Sequence, residues 1–277
     1  MQNLGILRHL PNFLTCMNLF CGGLAIIFAL EKNEFMVYSA YLIWLASIFD
    51  FFDGMTARVL KAYSSIGKKL DSLADMISFG IAPSVILYQI VKTSMGVKSF
   101  SYENFSTSQL LVLFSPFLIA VFSAMRLAKF NLDVRQSYSF IGFPTPPNAI
   151  LISSLPLILY FNPKSLVLLN FLSTNNVFLG FVKNLQNIFT SLHFLVPMIL
   201  FLSFLLVSEF PMFSLKFKNL KWSDNKMRYI FLIFAIFICL FLQTFGVFFA
   251  ILTYILLAAI DFFFLKKPSA QDISDKE

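Results

Sequence analysis

The sequence predicts an all-α fold, a polytopic membrane helix bundle of about eight transmembrane helices with both termini cytoplasmic. Three observations predict it. Hydrophobic residues make up 58% of the 277 and charged residues 13%, about half the charged share of a soluble domain. Mean hydropathy is +0.79. The apolar residues also fall in long runs, not amphipathic periods, and several runs reach the roughly 20 residues that cross the hydrocarbon core as a helix.

Those runs place helices near 12–30, 35–60, 70–92, 108–130, 146–161, 192–209, 228–245 and 247–265. Arg8 and His9 precede the first run in the manner of a signal peptide. Its apolar stretch nevertheless continues to Leu30 with no small-residue cleavage pattern, so a retained helix is expected. The fifth run is short. The stretch from Asn162 to Ser191, interrupted by Asn170, Ser173, Thr174, Asn175, Asn176, Lys183 and Asn187, is expected as an interfacial or external excursion. Residues 1–161 form the expected catalytic core, and 162–277 supply further helices and a short cytoplasmic tail.

Charge sets the orientation. With eight spans, one side holds Arg8, Arg58, Lys61, Lys68, Lys69, Arg126, Lys129, Arg135, Lys216, Lys218, Lys221, Lys226, Arg228, Lys266, Lys267 and Lys276. The other holds only Lys32, Lys92, Lys98, Lys164 and Lys183. Basic residues concentrate on the cytoplasmic side of inserted helices, so the richer side is cytoplasmic. A ninth span after Asn162 would move the Lys216–Arg228 loop outside and weaken the bias. The net charge of +7 is thus explained by topology and anionic headgroups, and no nucleic-acid partner is expected. Cys16, Cys21 and Cys239 make no metal pattern and read as inert buried thiols. His9 and His193 have no partner spacing. Gly22–Gly23 reads as a close helix-packing point, because nothing basic accompanies it. Asp261 lies near Lys266 and Lys267 and reads as snorkelling to the interface.

The chemistry lies between Ile48 and Gly80, in IFDFFDGMTARVLKAYSSIGKKLDSLADMISFG. Asp50, Asp53, Asp71 and Asp75 are the only acidic residues between Glu34 and Glu103. An ionised side chain in a membrane segment costs about 3 kcal/mol or more unless compensated, which makes each a functional candidate. Spacings of three and four put each pair on one helix face. Both pairs lie toward the cytoplasmic ends of successive helices, where they can converge. Converging carboxylates repel unless cations neutralise them. An all-oxygen donor set without thiolate or imidazole suits a hard ion, Mg²⁺ or Mn²⁺, as a pair that would clamp a pyrophosphate. Gly54 and Gly67 lack the Cβ atoms that would hold a nucleotide off the backbone, and Arg58 offers a planar donor fork. Salt bridges from Arg58, Lys61, Lys68 and Lys69 would account for single aspartates, but not for two in-register pairs bracketing glycines.

The full pattern D-x2-D-G-x2-A-R-x8-G-x3-D-x3-D, carried by Asp50, Asp53, Gly54, Ala57, Arg58, Gly67, Asp71 and Asp75, resembles the signature of the CDP-alcohol phosphotransferase family of membrane enzymes. LPNFLTCMNLF at the N-terminus, SFGIAP after Asp75, RLAKFN at 126–131 and GFPTPP at 142–147 are similar to the bacterial phosphatidylserine-synthase branch of that family. The likeness covers roughly the first 150 residues. It implies that Asp50, Asp53, Asp71 and Asp75 hold two divalent cations, Mg²⁺ or Mn²⁺, on the CDP pyrophosphate. Gly54, Ala57, Arg58 and Gly67 would line the CDP site. Asp71 and Asp75 are the implied catalytic residues, with Asp75 as general base.

The implied substrates are CDP-diacylglycerol and L-serine, and the implied site is a multi-pass protein of the inner (cytoplasmic) membrane, its active site facing the cytoplasm among membrane lipids. A homodimer is compatible with this. Serine is zwitterionic, and Arg126, with Asn131 beside it, is the expected anchor for its carboxylate. Lys129 reads as a topology marker. Thr15 and Asn18, three apart on one helix face, can reach either the nucleotide or a neighbouring helix. Pro144, Pro146 and Pro147 stiffen their segment. The same chemistry with glycerol 3-phosphate or inositol phosphate is the alternative acceptor reading. A cation or lipid transporter would spread its carboxylates across bilayer depth, whereas these cluster near one face.

Overall fold

The computed structural model describes residues 8–31, 33–97, 105–132, 140–160, 176–212, 222–242, 244–260 and 262. Helix α1 (Leu10–Leu30) opens with Pro11 in its first turn, where the missing N–H has no intrahelical partner to lose. A short 3₁₀ turn (Asn33–Phe35) reverses the chain into α2 (Met36–Val59), and α1 and α2 form the most extensive helix pair. After a tight connection with Lys61 at φ +49°, α3 (Ser65–Asp75) runs through a π-helical turn (Met76–Ile81) into α4 (Ala82–Ser94). This 30-residue element is the buried centre of the bundle.

The other helices pack around it. Helices α5 (Thr107–Phe114) and α6 (Phe117–Leu132) follow, then α7 (Thr145–Leu159), α8 (Asn176–Thr190), α9 (Leu192–Val207), α10 (Trp222–Leu242) and α11 (Thr244–Ile260). Among the described residues the fold is all-α apart from one two-residue ladder, β1 (Phe140–Ile141) antiparallel to β2 (Pro211–Met212). That ladder ties the start of α7 to the end of α9. Gly142, at φ +80° beside β1, is required there: a Cβ would stand 2.8 Å from the Leu206 carbonyl oxygen.

Among the described residues three elements, α1, α2 and the α3–α4 unit, are long and apolar enough to cross a membrane. Two bent pairs pass when each is taken together, α5 with α6 (48°) and the end of α8 with α9 (63°). Shorter apolar helices cover Thr145–Leu159, Arg228–Leu240 and Phe245–Ile260. The protein is membrane-embedded.

Several expected boundaries shift, each for a local reason. The helix expected from residue 70 starts at Ser65, because the Ser64 side chain caps it by accepting from the Gly67 amide at 2.9 Å. The helix expected over 108–130 is broken before Pro116, whose ring cannot continue the α5 hydrogen-bond ladder. Within the expected excursion, 176–190 is helical with Lys183, Asn184 and Asn187 exposed, while 161–175 lie outside the described residues. Asp261, Lys266 and Lys267 also lie outside them. Cys16 is exposed on the outer face of α1, not buried, whereas Cys21 is buried. Gly22 is a close-packing point: a Cβ there would fall 2.3 Å from Ser78 Oγ. Gly23 has nothing within 4 Å, so the packing role belongs to Gly22 alone.

Candidate active site

Helix α2 carries Asp50 and Asp53 and α3 carries Asp71 and Asp75. One carboxylate oxygen each from Asp50, Asp53 and Asp71 lies within 4.8 Å of the others. Asp75 completes the group, within electrostatic range of the other three and with its carboxyl at that of Asp50. Asp53 and Asp75 are buried, Asp50 and Asp71 half-buried. The convergence expected from spacing is therefore present.

Helix α1 orients these groups. Thr15 Oγ1 donates to Asp53 Oδ2 at 2.7 Å, and Asn18 Nδ2 donates to Asp75 Oδ1 at 3.2 Å. Ser78 Oγ, one turn beyond Asp75, donates to the Asn18 carbonyl at 2.9 Å. Thr15 and Asn18 both bond between helices, on the carboxylates themselves, and Thr15 also lines the cavity beside them. The Gly22–Ser78 contact sets the separation that makes these bonds possible. The π-helical turn begins directly after Asp75, and such turns recur at functional sites because they re-aim the side chains that flank them.

Beside the carboxylates opens a cavity of about 660 Å³, within the usual range for small-molecule sites. Gly54, Ala57, Arg58 and Gly67 all line it, with Asp53 and Asp71 at its wall. A Cβ on Gly67 would stand 2.8 Å from Asn12 Oδ1 and fill part of this space. Arg58 Nε donates to the Gly54 carbonyl at 3.0 Å, and Lys68 Nζ to the Asn131 carbonyl at 3.3 Å. Neither spends these bonds on an aspartate. Salt bridging through these two bonds therefore does not account for the acidic cluster. The capped N-terminus of α3 also faces the cavity through Ser64 and Ser65, adding the positive end of a helix dipole suited to phosphate.

The donor set fits divalent metal. Its atoms are all carboxylate oxygens, and Asp71 Oδ1 is buried without a hydrogen-bond partner. A buried anionic oxygen left unpaired is costly unless a cation completes it.

Arg126 of α6 is 7% exposed and within electrostatic range of Asp75 and of Tyr254 on α11. Asn131 instead donates its amide to Ser72 Oγ at 2.8 Å, bracing the end of α6 against α3. Lys129 is exposed. Sequence reasoning passed over Tyr63, Ser64 and Ser65 in the cavity wall, ordinary polar loop residues in the chain. It also passed over Asn148, an amide in an apolar helix and wholly buried, for which that placement was the available signal.

The sequence model of the CDP-alcohol phosphatidyltransferase family matches residues 8–182, a range that contains every residue of this site except Tyr254. The chain is 34% identical over 141 residues to the CDP-diacylglycerol–serine O-phosphatidyltransferase of Bacillus subtilis (strain 168), covering 50% of this chain and 71% of that protein. It is 35% identical over 144 residues to the Helicobacter pylori (strain ATCC 700392 / 26695) protein of the same name, covering 51% and 54%. It is 33% identical over 147 residues to the archaetidylserine synthase of Methanothermobacter thermautotrophicus, covering 52% and 56%. The matches thus span about half of this chain. The paired carboxylates, the glycine-lined cavity beside them and the family match agree: this chain is a transferase enzyme and belongs to the CDP-alcohol phosphatidyltransferase family.

Proposed function

We propose that the chain transfers the phosphatidyl group of CDP-diacylglycerol to the hydroxyl of L-serine, giving phosphatidylserine and CMP. The observation that carries this reading is the placement of one buried cation, Arg126, near Asp75, with the nucleotide-sized cavity opening beside the carboxylate cluster. In this reading Gly54, Ala57, Arg58 and Gly67 receive the CDP moiety, and Asp50, Asp53, Asp71 and Asp75 would hold two divalent ions, Mg²⁺ or Mn²⁺. When bound, such a pair supplies charge neutralisation on the diphosphate and on the departing CMP. Asn18 orients Asp75 through one of its oxygens, and in this reading Asp75 accepts the serine hydroxyl proton. The serine oxygen then bonds to the lipid-linked phosphorus as the bond to the CMP phosphate breaks. Positioning and preorganised charge do most of the work.

One guanidinium matches one carboxylate in charge and geometry. A phosphorylated acceptor would call for further cations converging with Arg126; its sequence neighbour Lys129 is exposed, and in this reading Arg58 and Lys68 of the cavity wall serve the CDP moiety. The serine reading is favoured for that reason, and by the likeness to the serine O-phosphatidyltransferases of Bacillus subtilis and Helicobacter pylori. The accompanying topology is eight spans in the inner membrane, with both termini and the cavity on the cytoplasmic side.

The test uses purified full-length protein with CDP-diacylglycerol, Mn²⁺ or Mg²⁺, and serine, glycerol 3-phosphate or inositol phosphate supplied singly. Phosphatidylserine and CMP are expected with serine alone, and CMP release should stop in excess chelator and return with either ion. Product formed only with a phosphorylated acceptor would overturn the serine assignment. Full activity in chelator would overturn the metal assignment.

A further inference from the structure

Buried polar atoms without partners are rare, because each carries an uncompensated desolvation cost. Among the described residues half of these atoms lie on α6 and α7, namely Arg126 Nε, Ser123 Oγ and both the nitrogen and the oxygen of the Asn148 amide. The others are Asn18 Oδ1, Ser47 Oγ, Asp71 Oδ1 and Ser203 Oγ, each a single atom on its own side chain. Asn148 and Ser123 are 0% exposed. A side chain with two donors and an acceptor, all unused, is the strongest of these anomalies.

The position of Asn148 follows from helix register. Trp44 Nε1 of α2 donates to Ser153 Oγ of α7 at 2.9 Å. Ile150, three residues earlier in α7, shares an outer groove with Ser47, Ile48 and Phe51, which are later in α2. The two helices therefore run antiparallel. Five residues before Ser153 is about 7.5 Å along α7, which brings Asn148 to the level of Asp50. Asn148 is turned about 200° from Ile150 around the helix, so it points away from the groove and into the bundle. There α7 packs on the π-helical turn after Asp75 and on α11. Arg126 reaches the same region from α6, between Asp75 and Tyr254 of α11.

We infer that Asn148 is a specificity-determining residue of the acceptor subsite, its amide oxygen accepting a hydrogen bond from the ammonium group of an amino-acid acceptor whose carboxylate pairs with Arg126. This rests on the serine reading above. A neutral acceptor is suited to this position because the four carboxylates already concentrate negative charge next to it. A zwitterion held at both ends presents its hydroxyl in one orientation only.

Asn148→Leu keeps the number of side-chain heavy atoms, with somewhat greater bulk, and removes the amide. If the amide serves the acceptor alone, the protein loses an unsatisfied buried group and its thermal midpoint should hold or rise. The serine KM should increase about tenfold or more, as for loss of a hydrogen bond to a charged group, while the KM for CDP-diacylglycerol stays within about twofold. The preference for serine over 3-hydroxypropionate, which has the carboxylate and hydroxyl but no ammonium, should narrow by a similar factor. Asn148→Ser carries the same readouts should the leucine variant not fold. An unchanged serine KM overturns the inference, as does a KM rise accompanied by a fall in thermal midpoint, which would mark a structural amide. Wild-type protein assayed in parallel separates the two readings. No phosphatidylserine from the wild type refutes the serine reading itself, whereas wild-type turnover with an indifferent variant refutes only the role of Asn148.

Discussion

Thr15 spends its hydroxyl on Asp53 Oδ2 at 2.7 Å, so the orientation of a carboxylate of the proposed metal site depends on a helix that carries none of the signature residues. Groups that orient ligands of a metal typically contribute about 10–100-fold to affinity or activity. Thr15→Val, near-isosteric and compatible with an apolar helix, should therefore raise the Mn²⁺ concentration for half-maximal activity by about that factor. A titration of initial rate against Mn²⁺ checks it; a variant with unchanged metal dependence would show that Asp53 is held by other means. Arg126→Lys keeps charge but loses the planar fork. The loss of about 1.5–3 kcal/mol expected for a charge-assisted bond corresponds to a roughly ten- to hundredfold rise in serine KM. The KM for CDP-diacylglycerol should change far less; a comparable rise in both would assign Arg126 to the bundle or to the donor phosphate. The four aspartates could be read from the chain because ionised groups in apolar helices admit few explanations. Thr15 and Asn18 were half-legible, since a hydroxyl or amide in such a helix can serve a ligand or a neighbour equally well. Asn131 shows the limit of adjacency in sequence: five residues after Arg126, it faces Ser72 of α3 instead.

At the level of elements, the site depends on how closely α1 approaches the π-helical turn after Asp75. Gly22 sets that distance, because a Cβ would lie 2.3 Å from Ser78 Oγ and 2.8 Å from Ser78 Cα. The second contact is backbone and cannot rotate away. Gly22→Ala should lower the thermal midpoint, by the equivalent of about 1–3 kcal/mol for an overpacked core. It should also reduce turnover, because displacing Ser78 disturbs the Asn18 bond to Asp75. Gly23→Ala, with open space around it, should be neutral or stabilising by about 0.5–1 kcal/mol through helix propensity. Thermal unfolding of both variants in detergent decides the matter, and equal effects would contradict the packing account. The paired glycines were visible in the sequence as a packing point, but which of them packs depends on helix rotation, and apolar runs that bury on every side encode rotation poorly. The π-helical turn was not legible either, since no residue type demands it. The break before Pro116 was legible in principle, the run of apolar residues around that proline having concealed it.

For the molecule as a whole, orientation decides whether the proposed substrates can reach the cavity. Serine and CMP are water-soluble, so a cavity fed from the cytoplasm must open on the side where Lys61, Lys68 and Arg58 lie. Arg58, Tyr63 and Lys68 line its mouth, and the exposed Lys61 sits in the connection between α2 and α3. The proposed topology puts that connection inside, on the expectation that basic residues resist translocation. Lys183, exposed on α8, falls on the opposite side if eight spans are crossed. The apolar runs located most of the helices in order but not their number, eight being expected where eleven are described. The bends between α5 and α6 and between α8 and α9 mean that length alone does not fix how many cross. Labelling does. After replacing Cys16, Cys21 and Cys239, single cysteines are introduced as Lys61→Cys and Lys183→Cys. Intact cells are then treated with a membrane-impermeant maleimide, before and after permeabilisation. Lys183→Cys should react in intact cells and Lys61→Cys only once the membrane is opened. Reaction of Lys61→Cys in intact cells would place the cavity mouth outside and remove the cytoplasmic route for serine. Protection of both until permeabilisation would leave the cavity inside but require an odd number of crossings between α3 and α8 to be abandoned for an even one.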